Sequence, residues 1–100
     1  MNPYIYLFIR EDLPIPQQII QTAHAVDSLN IERNSDSTNF MVLIGVKNQE
    51  ELKAISKHLG MWDIGHHMFY EPDISSHTAI ATHPLKGRER NRLKHYELKQ

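Results

Sequence analysis

The chain has 100 residues, 40% apolar and 23% charged, with a net charge of −1. That length supports one domain over residues 1–100, ordinary in composition for a globular fold and too apolar for a disordered one. Cysteine is absent, which excludes a disulfide framework and thiolate chemistry. The N-terminal apolar run, Tyr4 to Ile9, is followed at once by Arg10, Glu11 and Asp12. It is too short for a signal peptide or a membrane span, so a cytoplasmic protein is expected.

Tyr4-Ile5-Tyr6-Leu7-Phe8-Ile9 reads as a strand from its β-branched and aromatic content. Arg10 to Pro14 breaks it, and Pro16 suits the first turn of a helix, where its missing N–H is no loss. Ile19, Ile20, Ala23 and Val26 recur at helical spacing to about Asn30, predicting an apolar, core-facing stripe with Gln21 and His24 beside it. The start of this helix faces the carboxyl end of the strand, where open α/β sheets place ligands and helix N-termini attract anions.

Ile31 to Asn39 is polar and predicts a surface loop. Phe40 to Val46 is continuously apolar, as expected of a strand covered on both faces in a parallel arrangement. Asn48 and Glu51 have capping-box spacing, Leu52, Ile55 and Leu59 share one helix face, and Gly60 is the expected stop. Met68 to Tyr70 and Thr78 to Thr82 predict two short strands around Glu71-Pro72-Asp73, and Arg88 to Tyr96 a last helix.

Charge is unevenly spread. Residues 1–85 hold five Lys or Arg against ten Asp or Glu, whereas residues 86–100 hold six against two. The tail cations Lys86, Arg88, Arg90, Arg92, Lys94 and Lys99 either form a solvated helix end or attract a polyanion. His66, His67, His77 and His83 lack the spacing of a zinc motif, and adjacent His66 and His67 on a strand point to opposite faces, so no metal is expected. Trp62, Phe69, Tyr70 and Tyr96 fit either base stacking or burial.

Four segments in order carry a resemblance: the strand entering Arg10-Glu11-Asp12-Leu13, then Gln21-Thr22-Ala23-His24-Ala25, then Glu71-Pro72, then Thr78-Ala79-Ile80-Ala81 with Pro84 after it. Together they resemble the type 2 peptidyl-tRNA hydrolase family, in a divergent branch. The resemblance implies a three-layer α/β/α fold with a mixed, mostly parallel four-stranded sheet, often a homodimer, acting on tRNA with no metal and no organic cofactor. It implies cleavage of the ester joining a peptide to the 3′ ribose. Gln21, His24 and Ala25 match the family's Gln-x-x-His-Ala, Glu71 and Pro72 its Glu-Pro, and Thr78 a threonine among its proposed catalytic residues. Two early lysines of the family are replaced by Ile15 and Gln17, and its Asp-x-Gly-x-Thr segment is lost.

The residues support the same chemistry in outline. Ester hydrolysis needs an activated water, a donor for the developing oxyanion and contacts that hold the substrate. His24 is the candidate base or polariser and Thr78 the hydroxyl donor, with Glu71 and Asp73 orienting the site. Gln17, Gln21, Arg10, Lys86 and Arg88 are the candidate substrate-binding residues. Each has a structural alternative: His24 bonded to a backbone carbonyl, Glu71 and Asp73 serving a turn on Pro72, Thr78 simply suiting a strand end. Two function classes follow, an esterase acting on the 3′ end of tRNA and a catalytically inactive module of the same fold that binds tRNA or a protein. A small-molecule hydrolase using the same pocket is a third.

Overall fold

The computed structural model describes residues 3–29 and 40–96. The Ile31 to Asn39 loop and Lys99 lie outside the described residues. The elements run β1 (Tyr4–Arg10), α1 (Ile15–Ser28), β2 (Phe40–Val46), α2 (Gln49–Met61), β3 (His66–Glu71), a 3₁₀ turn (Pro72–Ile74), β4 (Ser76–Thr82) and α3 (Arg88–Asn91). The expected last helix is therefore one turn long, and Leu93 continues the chain into the core without it.

The described strands form one sheet, in the order β2-β1-β4-β3. Among the described residues only β1 and β2 pair in parallel; β1 with β4 and β3 with β4 are antiparallel. This corrects the expectation of a mostly parallel sheet. The short 3₁₀ turn on Pro72 folds β4 straight back along β3, and β4 then inserts between β3 and β1, reversing the direction at both of its borders.

Two apolar clusters occupy opposite sides of the sheet. Tyr6, Phe8, Ile44, Val46 and Ile80 pack with Leu52, Ile55 and Leu59 of α2. Ile5, Leu7, Ile9, Ala79 and Ala81 pack with Ala25 and Leu29 at the end of α1. The alternation of β1 between these clusters is the period-2 pattern of a strand buried on both faces. Each fully buried Leu or Ile contributes roughly 1.5–3 kcal/mol.

The face that α1 buries differs from the expected one. Gln18, Gln21 and Ala25 turn inward, whereas Ile15, Ile19 and Ile20 are 61%, 67% and 46% exposed. β2 likewise is not covered on both faces: it is an edge strand, and Phe40, Met41 and Leu43 are exposed. α1 lies toward β4 and β3, with His24 stacked on Phe69 of β3, so its opposite flank, Ile15 and Ile19, is left beside the bare face of β2.

The N-cap of α2 is as expected, with Asn48 Oδ1 accepting from the Glu51 N–H at 2.9 Å. Its end is not. Gly60 is still helical, and the left-handed residue that closes the helix is Asp63, at φ 55. Asp63 N–H donates to Gly60 O at 3.2 Å and Ile64 N–H to Leu59 O at 2.9 Å, the pair of bonds of a Schellman ending, sealed by the burial of Leu59 and Ile64 together.

Candidate functional site

A β-bulge creates the polar centre of the molecule. Phe69 pairs with Ala79 and Tyr70 with His77, so Thr78 is an extra residue on β4. Such an insertion rotates the side chains that follow it. Ile80 faces α2 and Ala79 faces α1, and Thr78, which regular alternation would turn toward α2, faces α1 instead, where its Oγ1 donates to Gln21 Oε1 at 2.9 Å. The backbone of His77 finds side-chain partners: Gln49 Oε1 accepts from its N–H at 2.7 Å, and Arg10 Nη1 donates to its C=O at 3.0 Å.

From Thr78 the hydrogen bonds run outward along α1. Gln21 Nε2 donates to Gln17 Oε1 at 3.2 Å. Thr78 and Gln21 are 0% and 1% exposed, while Gln17 lies on the surface. Since Thr78 presents a hydroxyl hydrogen to the Gln21 oxygen, the Gln21 amide nitrogen faces Gln17, and the nitrogen of Gln17 is left facing outward. Beside this chain the exposed His24 ring stacks on Phe69, centroids 4.9 Å apart and planes 17° apart. Glu71 follows Phe69 by two residues on β3, so both point to the α1 side.

The expected site is thus assembled in part. Gln17, Gln21, Thr78 and His24 share one face, but the Thr78 hydroxyl is inside, bonded to Gln21, rather than open to a ligand. Asp73 is exposed on the 3₁₀ turn, and among the described residues neither Glu71 nor Asp73 is hydrogen-bonded or ion-paired to His24. Arg10 is engaged in the fold: Nε and Nη2 donate to the Asp12 carboxylate at 2.9 and 2.8 Å, and Nη1 also donates to Ser76 Oγ. That hydrogen bond to Arg10 holds the Asp12 carboxyl below the usual carboxylate range.

The basic tail sits elsewhere. Leu85 bridges to Tyr4 at the far end of β1, and Leu85 and Leu93 pack on the α2 side of the sheet. Lys86 and Arg88 are exposed there, about 20 Å from Arg10 given the rise of a seven-residue strand. Arg90 is folded in, its Nε donating to Tyr6 Oη at 3.2 Å and its guanidinium 3.4 Å from the Tyr4 ring centroid. A cleft of about 370 Å³ also lies on the α2 side, lined by Glu11, Lys47, Glu51, His95 and Tyr96. His24 therefore lies on an open face and not in that cleft.

Three features were not anticipated from sequence. Gln18 is buried, donating to Leu13 O at 2.7 Å while its Oε1 has no partner among the described residues. His77 packs edge-on to Tyr70, and burial, with the Lys53 ammonium adding to it, pushes its imidazole pKa down. Ser56 and His66 are bonded on the α2 side. Among the described residues no group of three or more His, Asp or Glu is gathered to hold a metal, and no helix is long and apolar enough to cross a membrane.

No family model and no curated protein matches the chain. Among solved structures it is similar to a protein of unknown function from Agrobacterium tumefaciens strain C58, at 15% identity and a TM-score of 0.69, over 100% of this chain and 99% of that one. At that identity the likeness concerns the fold alone.

Proposed function

We propose that the chain is a peptidyl-tRNA hydrolase-like esterase of three-layer α/β/α build, acting in the cytoplasm on the bond between a peptide or other acyl group and the 3′ ribose of tRNA. One observation carries the reading: a hydrogen-bonded chain from buried Thr78 through Gln21 to Gln17, ending in an outward amide donor on the same helix flank as the exposed His24, two turns away. In this reading His24 is the base that activates water and Gln17 Nε2 donates to the developing oxyanion. Thr78 and Gln21 are positioning residues, since both are sealed from the substrate. Gln17 brings no charge to a place where the family has lysine, and one weakened electrostatic donor lowers turnover by about 10²–10³-fold. Glu71 and Asp73 flank the face at the end of β3. Lys86 and Arg88, a strand's length away, would meet phosphates only of a ligand as long as a nucleic acid.

A second reading, a catalytically inactive tRNA- or protein-binding module, is favoured by the bonding of the Thr78 hydroxyl to Gln21 and of Arg10 to Asp12. Peptidyl-tRNA incubated with the purified chain separates the two. Release of free tRNA that falls sharply in His24→Ala supports hydrolysis. Salt-sensitive binding without release supports the module, with affinity falling along the phosphate-contact slope. Absence of both binding and release removes the esterase and the tRNA-binding form of the module.

The bare trough of Ile15, Ile19, Met41 and Leu43, beside an edge strand without charge, supports a homodimer in which a second copy covers it. Sedimentation should give a dimer that Ile19→Lys converts to a monomer. A wild type that is monomeric at high concentration contradicts it.

A further inference from the structure

Ser56 lies on the side of α2 turned toward β3, and its Oγ is 2.8 Å from His66 Nε2, while His66 Nδ1 is 2.9 Å from Ile64 O. A carbonyl oxygen only accepts, so Nδ1 carries the hydrogen and Nε2 of the neutral ring is the acceptor. The Ser56 hydroxyl therefore donates to Nε2. A hydroxyl, its base and a group that fixes the tautomer of that base stand in series, the arrangement that activates serine for acyl transfer. The fold did not require it: Thr22 and Ser28 of α1 instead bond the carbonyls of Gln18 and His24 one turn back, at 2.7 and 2.8 Å.

Gly60 is the second observation. It sits inside the last turn of α2, where glycine is destabilising, yet a Cβ there would meet nothing within 4 Å and the left-handed position is Asp63. Helical side chains lean toward the N-terminus, so any side chain at 60 would lie over residue 56. Glycine leaves the approach to Ser56 open, and Ser56 and His66 are both partly exposed. Lys53, three residues before Ser56 on the same side, supplies a positive charge.

We propose that Ser56 and His66 form a serine acyl-transfer site on the α2 side of the sheet, taking esters whose acid part carries a further negative charge that Lys53 meets. The site is independent of the His24 face and stands or falls without it. Ser56 Oγ attacks the ester carbonyl as its proton passes to His66 Nε2. The carbon–oxygen bond to the alcohol breaks, and the proton on Nε2 goes to the departing oxygen. Water then attacks the acyl-serine, giving its proton to Nε2, and Ser56 takes it back as the acid leaves.

The test is covalent labelling of the full chain with an alkyl fluorophosphonate, read by peptide mass mapping, with Ser28 as the internal reference. Ser56 should be modified at least 10²-fold faster than Ser28, on the scale that a positioned general base contributes, about 10²–10⁴-fold. His66→Gln, which keeps a hydrogen-bond acceptor but not the base, should remove that advantage. Gly60→Leu, whose Cβ meets nothing within 4 Å, should slow labelling by covering Ser56. 4-Nitrophenyl hydrogen succinate should be cleaved faster than 4-nitrophenyl acetate, a preference lost in Lys53→Met. Ser56 labelling no faster than Ser28, or labelling unchanged in folded His66→Gln, overturns the proposal.

Discussion

Replacing Thr78 by valine tests whether the bulge exists to hold the Thr78–Gln21 bond. The substitution keeps the shape and removes only the hydroxyl that donates to Gln21 Oε1 at 2.9 Å. With Thr78 and Gln21 at 0% and 1% exposure, water cannot replace the lost partner, so the orphaned amide oxygen costs about 1–3 kcal/mol. For a domain of this size a 2 kcal/mol loss lowers Tm by about 8–16 °C. Gln21→Leu strands the Thr78 hydroxyl and should lose a similar amount. The double variant removes both polar groups from the same place, so it should be less destabilised than the two singles together, with a coupling of about 1–2 kcal/mol. Urea and thermal unfolding of the four proteins measures this cycle. Coupling near zero, or a Thr78→Val variant as stable as the parent, would refute the buried bond and, with it, the oriented Gln17 donor.

Asp63 holds a left-handed conformation that glycine adopts freely, so Asp63→Gly should gain up to about 1 kcal/mol in urea unfolding; a loss would mean that Asp63 has a role beyond the helix end. Burial lowers the His77 pKa from 6.5, so the folded chain binds fewer protons than the unfolded one and stability falls as pH drops below 6.5. His77→Gln should flatten that part of the stability curve, and an unchanged slope would assign it to another group. The Tyr96 hydroxyl is buried without a partner among the described residues, and burial raises its pKa. Tyr96→Phe should therefore be neutral or stabilising, whereas a loss above about 1 kcal/mol would reveal a hydrogen bond.

Much of the architecture was legible because it follows from local pattern. The order of elements, the Asn48 cap and the Leu52, Ile55, Leu59 face all came from periodicity and capping chemistry, which act within a few residues. Strand direction was not legible, because it depends on β4 entering between its neighbour β3 and β1, which lies far away in sequence. The orientation of α1 shows the same limit more sharply. Its Ile19, Ile20 and Ala23 stripe would drive the helix to face the core that way round, yet the side that is buried carries Gln18 and Gln21. The buried side matches the bulge, since Thr78 turned toward α1 finds its buried acceptor in Gln21. A bulge adds one residue without any sequence signature of its own, so its consequence for α1 appears only once β3 and β4 are paired. The isoleucines displaced from the core then lie beside β2, where apolar surface left in water favours a covering partner. Placing Gln21 against the sheet thus leaves an apolar flank of α1 exposed on one side and sets His24 on the other, so the polar centre and the surface offered to the proposed dimer accompany the same inserted residue.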